Sequence, residues 1–300
     1  MPRAPGPMKF GRPGPGLTRR AIHRRMSPMA AGKDATEGQF EDYPPIREYG
    51  IIGDLSTVAL VGPGARIDSL CFPEFDSPSV FAAHVDREKG GSFALTPLLA
   101  DATERKIYFP ETNILLSRFL SKDGIAEVSD FMLVRRGGTR QALVRRAKAV
   151  HGEVGFRLCC APRFDYARAP HDLEPCGDGY VFRSPDLSLR IRASVPLEAD
   201  GRDVSARFRL PAGETATVIL EPADGCEDED PVPDFSSRAF KETAAFWRDW
   251  LAHCSYQGRW RETVQRSALA LKLLTSGRHG SVVAAPSFGF PNDPGGERNW

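Results

Sequence analysis

Two stretches of the chain alternate apolar and polar residues. In residues 187–195, Leu187, Leu189, Ile191, Ala193 and Val195 interleave with Ser188, Arg190, Arg192 and Ser194. In residues 204–210, Val204, Ala206, Phe208 and Leu210 interleave with Ser205, Arg207 and Arg209. A period of two marks an antiparallel strand with one face in the core and one in water. Asp200-Gly201, between the two stretches, is a hairpin signal. A second pair of runs, 114–120 and 125–133, flanks Asp123-Gly124, and a further run at 216–221 follows Ala212-Gly213. Short strands punctuated by Gly, Pro and Asp predict a β-sandwich over residues 40–222 rather than βαβ units.

The period then changes. Residues 223–233 are acidic and proline-bearing and read as a linker. Asp234 or Ser236 can cap a helix. Phe240, Ala244, Trp247, Leu251 and Cys254 recur at helical spacing with Trp250 beside them, which predicts a linker helix within 234–257. Gln257-Gly258 breaks it. Trp260, Val264, Ala268, Leu271 and Leu274 then mark a second helix, stopped by Gly277, within a last segment 258–300. Tryptophans at this spacing read as core rather than as platforms for a sugar ring. At the other end, residues 1–39 are rich in Pro, Gly, Arg and Met and predict a disordered basic tail, with Met26 or Met29 as alternative starts. The basic run at 18–25 has no apolar run after it, which argues against a secretory signal.

Composition narrows the classes. Three hundred residues allow about two domains, and an apolar content of 41% supports sizeable cores. A net charge of +1 provides no general field for nucleic acid or membrane. No apolar run reaches the ~18 residues needed to cross a bilayer. The six cysteines lack C-x-x-C spacing, and reduced thiols in a cytoplasmic protein are the expectation. Cys159 and Cys160 are neighbours, so on a strand they face opposite ways and cannot pair. The six histidines are scattered without ligand spacing, so neither metal nor cofactor is expected.

Candidate chemistry lies in carboxylates and in one short motif. Asp54, Asp68, Asp76, Asp130 and Asp165 are candidates for acid–base work, which pairs one protonated and one ionised carboxyl across the bond to be cleaved. Nothing in the sequence sets two of them face to face, and Asp at strand ends commonly caps backbone N–H groups. In Arg163-Phe164-Asp165-Tyr166, Arg163 and Asp165 can hydrogen-bond a sugar and Tyr166 can stack on it. The structural alternative is an interdomain clamp in which Asp165 pairs with an arginine and Tyr166 is half buried. The final run, S-V-V-A-A-P-S-F-G-F-P-N-D-P-G-G-E-R-N-W at 281–300, reads as a turn-rich loop.

Four motifs carry a family resemblance. They are I-I-G-D-L-S-T-V-A-L-V at 51–61 with R-I-D-S-L-C-F-P-E-F-D-S-P-S-V-F-A at 66–82, V-S-D-F-M at 128–132, R-F-D-Y at 163–166, and the run at 281–300. In this order they resemble the bacterial glucoamylase/trehalase-like enzymes, family 15 of the glycoside hydrolases, from about residue 43 to Trp300. Two positions depart from the family pattern: Ser69, where Trp is usual, and Asn292, where Glu is frequent. The resemblance implies an N-terminal super-β-sandwich, mainly β, followed by α-helices that begin a truncated (α/α)6 barrel. It implies hydrolysis of α-glucosidic bonds with inversion, on an oligosaccharide or trehalose substrate in the full-length enzyme. The catalytic glutamates of these enzymes come later than Trp300, so no catalytic residue is assigned here and the chain alone is expected to be inactive. Asn299 and Trp300 are the expected substrate contacts, together with Arg163, Asp165 and Tyr166. Cut short in this way, the helices would expose apolar surface and favour self-association. The alternative is a stand-alone β-sandwich that binds carbohydrate or protein; nucleic-acid binding through the basic tail ranks last.

Overall fold

The computed structural model describes residues 43–223 and 230–286. The expected tail 1–39, most of the linker, Asn292, Asn299 and Trp300 lie outside the described residues. The described strands are β1 (Gly50–Gly53), β2 (Val58–Gly62), β3 (Arg66–Cys71), β4 (Ser79–Ala82), β5 (Ser92–Pro97), β6 (Thr103–Tyr108), β7 (Leu115–Ser121) and β8 (Gly124–Met132). They continue as β9 (Leu143–His151), β10 (Val154–Ala161), β11 (Asp172–Cys176), β12 (Gly179–Arg183), β13 (Ser188–Ala193), β14 (Glu198–Asp200), β15 (Asp203–Leu210) and β16 (Thr215–Pro222). Two helices follow, α1 (Val232–Leu251) and α2 (Arg261–Leu273).

The strands form two antiparallel sheets. The first runs β1-β2-β3-β5-β10-β15-β14, with β4 also on β3; the second runs β11-β12-β13-β16-β9-β8-β7-β6. One buried cluster joins their inner faces, with Ile67, Phe93, Phe156, Leu158 and Val204 from the first sheet and Val128, Ala147, Ile191 and Val218 from the second. This is the sandwich that the alternating pattern predicts. The hairpin at Asp200-Gly201 is real but joins the short β14 to β15, not β13 to β15. Strand β13 belongs to the other sheet, between β12 and β16.

Arg190 and Arg192 were expected in water, yet both are buried. For Arg192 the reason is α1, which lies over the outer face of the second sheet; Arg190 pairs with Asp178 in the β11–β12 turn. Val232, Phe235, Ala239 and Ala244 of the helix pack on Phe131, Val144 and Ile219 of the sheet. Arg192 survives there because its Nε donates to Glu221 at 3.1 Å, Arg140 shares the same carboxylate at 2.8 Å, and both guanidinium groups sit over the Phe235 ring. Helix α1 starts at Val232 after Pro231, earlier than either expected cap, and places Asp234 in its first turn, where a negative charge suits the helix dipole. Trp247 and Leu251 are core, as the spacing predicts.

In α2 the fully buried residues fall beside the expected stripe, although Leu274 of that stripe packs against the core. Leu269 and Leu273 are buried, whereas Leu271 and Trp260 are 61% and 58% exposed. Polar ties decide this rotation. Asn113 Nδ2 donates to Leu269 O at 3.0 Å, and Arg266 donates to Thr112 O at 2.9 Å while its guanidinium stacks on Tyr108. Cys159 and Cys160 are free and point to opposite faces of β10, and Cys71 and Cys254 are also free. Cys176 is disulfide-bonded, which corrects the expectation of uniformly reduced thiols.

A buried ion pair ties the two sheets together. Asp130 on β8 and Arg145 on β9 are opposite each other, both wholly inaccessible, with Nε to Oδ1 at 2.8 Å and a second bond at 3.3 Å. The same guanidinium reaches across the core and donates to the carbonyls of Phe93 and Ala65 on the first-sheet side. Removing one partner strands a charge in the core. Arg145→Met should therefore cost about 3–5 kcal/mol in urea unfolding, and adding Asp130→Leu should recover a large part of it. If the double variant were no more stable than the single one, the pair would not be the cause.

Candidate functional site

The first two motif segments and the start of the last meet at the β1–β2 turn. The turn between β1 and β2 is held by Asp54, whose Oδ1 accepts the N–H groups of Ser56 and Thr57, both at 2.9 Å. Leu55 takes a left-handed backbone there, with φ 71°. Gly53 is required, because a Cβ at that position would lie 2.5 Å from Thr57 O. Thr57 in turn donates its hydroxyl to Cys71 O at the end of β3.

Two neighbouring segments dock on this turn. Gln141, in the bend before β9, donates from Nε2 to Asp54 Oδ2 at 3.0 Å and to Pro73 O at 2.9 Å, linking the β1–β2 turn to the loop that follows β3. Gly277, just after α2, donates its N–H to Leu55 O at 2.7 Å. The chain then folds back, with Ser276 N–H on Ser281 O and Val283 N–H on Leu274 O. The β1–β2 turn therefore fixes the first part of the segment that leads into the final motif.

The remaining candidates separate. Asp68 is buried between Arg66 and the Tyr49 hydroxyl, which donates to it at 2.9 Å. Burial first, then the Asp68 charge, pushes the Tyr49 phenol up, so Tyr49 stays a donor. Asp130 is the core partner of Arg145. Asp76 is exposed on the loop after β3. In the 163–166 motif, Arg163 makes a bidentate pair with Asp203 at 2.6 and 3.0 Å, within the first sheet and not between domains. Asp165 pairs with Arg168 at 2.6 Å, and Tyr166 is half buried beneath the Arg168 guanidinium. The expected clamp is thus a local one.

Residues Phe164–Ala167 form a left-handed turn, with φ of 50°, 55° and 64° at Asp165, Tyr166 and Ala167. Beside it is a cavity of about 110 Å3, walled by Phe72, Pro73, Ser79, Phe164, Asp165 and Asp186 among others. Among the described residues, Asp165 is the expected sugar contact that lines it. Gln141, Asp186 and Asp203 were missed, since each is a lone polar residue outside the quoted motifs; Asp203, just after the Asp200-Gly201 turn, had the clearest local signal. Among the described residues no group of three or more His, Cys, Asp or Glu converges as metal ligands would. No helix among them is long and apolar enough to cross a membrane.

Burial pushes the Asp54 carboxyl up from the usual 3.8 to about 6, against the pull of its two backbone N–H groups and Gln141. The folded chain thus holds this proton more tightly than the unfolded chain. Its stabilising contribution is full below the usual value and is lost as pH rises through about 6. Asp54→Asn cannot ionise, so the melting temperature of the variant relative to the parent should rise across that window. A difference independent of pH would contradict the assignment.

The comparisons with known proteins agree with this layout. The family described as trehalase-like, N-terminal matches residues 38–247. A trehalase of Mycolicibacterium smegmatis is 31% identical over 287 residues, covering 86% of this chain and 42% of that protein. A trehalase of Thermoplasma volcanium is 31% identical over 268 residues, covering 87% of this chain and again 42% of the relative. The chain therefore spans less than half the length of these curated relatives. A bacterial glucoamylase crystallised with acarbose shares the fold, with a TM-score of 0.56 at 10% identity over 81% of this chain and 43% of that one. The family match spans the sandwich and most of α1, and on it the chain belongs to the trehalase-like N-terminal family.

Proposed function

We propose that this chain is the N-terminal part of an α-glucosidic glycoside hydrolase of the trehalase or glucoamylase kind and does not hydrolyse glycosides by itself. The observation that carries the reading is the lopsided coverage: trehalases align with 86–87% of this chain but with 42% of their own length. The chemistry supports it. An inverting glycosidase needs two carboxyls roughly 6.5–9.5 Å apart, one kept protonated and one free to activate water. Asp54 has the raised pKa such an acid requires, but its oxygens are committed to two backbone N–H groups and to Gln141. Asp68 and Asp130 are committed to arginines.

In this reading the sandwich supports the start of an (α/α)6 barrel, and the Asp54 turn holds the segment after α2 in place. Asn299 and Trp300 would then contact an oligosaccharide or trehalose. A cytoplasmic location belongs to the same proposal; four free thiols support it, and the disulfide at Cys176 weighs against it. Self-association belongs to it too, since Trp260 at the N-cap of α2, Leu271 on the helix and Val282 after it are each more than half exposed. The cavity beside Asp165 favours a second reading, a sandwich that binds carbohydrate without cleaving it.

The test is glucose release from trehalose and maltotriose by the purified 300-residue protein, beside a version fused to the barrel of a trehalase relative. Release should come from the fusion alone, and sedimentation of the short form should show association at micromolar concentrations. Turnover by the short form that Asp54→Asn or Asp165→Asn abolishes would overturn the reading and place an active site in the sandwich.

A further inference from the structure

We propose that the trough on the outer face of the first sheet, headed by Arg157 and Arg207, binds a small sugar derivative that carries one anionic group. The two arginines are directly opposite each other on β10 and β15. Their neighbours Phe156, Leu158 and Ala206 point into the core, so both arginines point outward, and both are exposed. Like charges placed opposite each other on antiparallel strands are destabilising. Elsewhere on these strands the charge is met: Arg209 pairs with Glu153 at 3.0 Å, and Arg163, just after β10, pairs with Asp203 at 2.6 Å. Among the described residues Arg157 and Arg207 have neither an ion pair nor a hydrogen bond. Two guanidinium forks side by side, about 5 Å apart at their Cβ atoms, can grip between them the outer oxygens of a phosphate ester or of a carboxylate.

The trough takes the rest of the guest. Arg207 is part of its wall with Leu98, Asp123, Glu153 and Arg209, all of them exposed, so a guest can touch each one. Its volume of about 780 Å3 lies in the range of small-molecule sites. Gly155, opposite Arg209, adds no side chain to the floor, and a Cβ there would already lie 3.5 Å from Leu98. The charges are sorted along the trough. Glu153, just before β10, is four residues from Arg157, or about 13 Å at the ~3.3 Å rise of a strand. Asp123, in the β7–β8 turn, lies at that same end, against Gly152. A guest negative along its whole length would be repelled there. One with an anionic head and hydroxyls behind it would be held at both ends, because a carboxylate accepts hydrogen bonds from hydroxyls. Leu98, 58% exposed, and Leu99 offer apolar surface for its CH groups. That the head is an anion rests on the two arginines; that the body is a sugar rests also on the reading proposed above.

The experiment is thermal melting of the full 300-residue chain at fixed ionic strength with glucose 6-phosphate, glucuronate, glucose or inorganic phosphate, repeated with Arg157→Thr, Arg207→Thr and the double variant. An anionic sugar at ten times its dissociation constant should raise the melting temperature by about 3–6 °C. Whichever of glucose 6-phosphate and glucuronate binds more tightly identifies the head as phosphate or carboxylate. Glucose and inorganic phosphate should each need about tenfold more for the same shift, because each reaches only one end of the trough. Each single variant should weaken binding of the anionic sugar about tenfold, the loss of one charged hydrogen bond. Without ligand the variants should melt no lower than the parent, since each relieves a contact between like charges. If the double variant fails to fold, the single variants decide. No shift with either anionic sugar, an equal shift with inorganic phosphate, or a shift unchanged in the variants that fold would overturn the proposal. None of these results touches the glycosidase reading, which stands or falls on glucose release by the fused enzyme.

Discussion

Arg145 takes its counter-charge from Asp130 in its own sheet and two carbonyls, of Phe93 and Ala65, from the other side of the core. A planar fork satisfied on both sides fixes the separation and the sideways alignment of the sheets at that point. Apolar packing around it, from Phe93 to Val128 and Ala147, could tolerate small slippage. The ion pair cannot, because a displaced sheet would leave a bare charge in the core. Its contribution is to alignment more than to net stability. Loops at the sandwich end can meet within hydrogen-bonding distance because that alignment is set.

A second constraint acts on the outer face. Glu221 binds Arg192 and Arg140 together, and Phe235 of α1 covers both cations. This charge cluster and the apolar strip of Phe131, Val144 and Ile219 commit the chain after β16 to lie across the second sheet. Helix α1 then delivers α2 to the sandwich end, where Asn113 and Thr112 fix its rotation through Leu269 O and Arg266. The next residues fall on the β1–β2 turn, with Gly277 bonded to Leu55 O. Tertiary contacts of this kind link residues more than 150 positions apart in sequence to the start of the final motif.

How much of this could be read in the sequence follows from which force acts at each place. Strand β15 was legible because one face really is in the core and Arg207 and Arg209 really face outward. Strand β13 looked the same and is not, because α1 covers Arg192 and no local pattern announces a cover supplied 40 residues later. The offset face of α2 has the same origin: Leu271 fits the helical stripe as well as Leu269 does, and a hydrogen bond from Asn113 chooses between them. The candidate site was half legible. Asp54 was found as a turn former, as its two backbone bonds bear out. Gln141, which joins that turn to Pro73, is a single amide in a loop with no spacing to betray it.

The account holds that the sandwich positions the segment after α2 through the Asp54 turn. The most direct measurement is amide hydrogen exchange at Gly277 and Val283, in the parent and in Gln141→Ala. The parent should protect both amides, because each donates to a backbone carbonyl. Gln141→Ala should loosen the turn and speed exchange at Gly277 by about tenfold, with amides of β10 unchanged. Rapid exchange at Gly277 in the parent, or equal exchange in the variant, would contradict the claim that this turn anchors the segment.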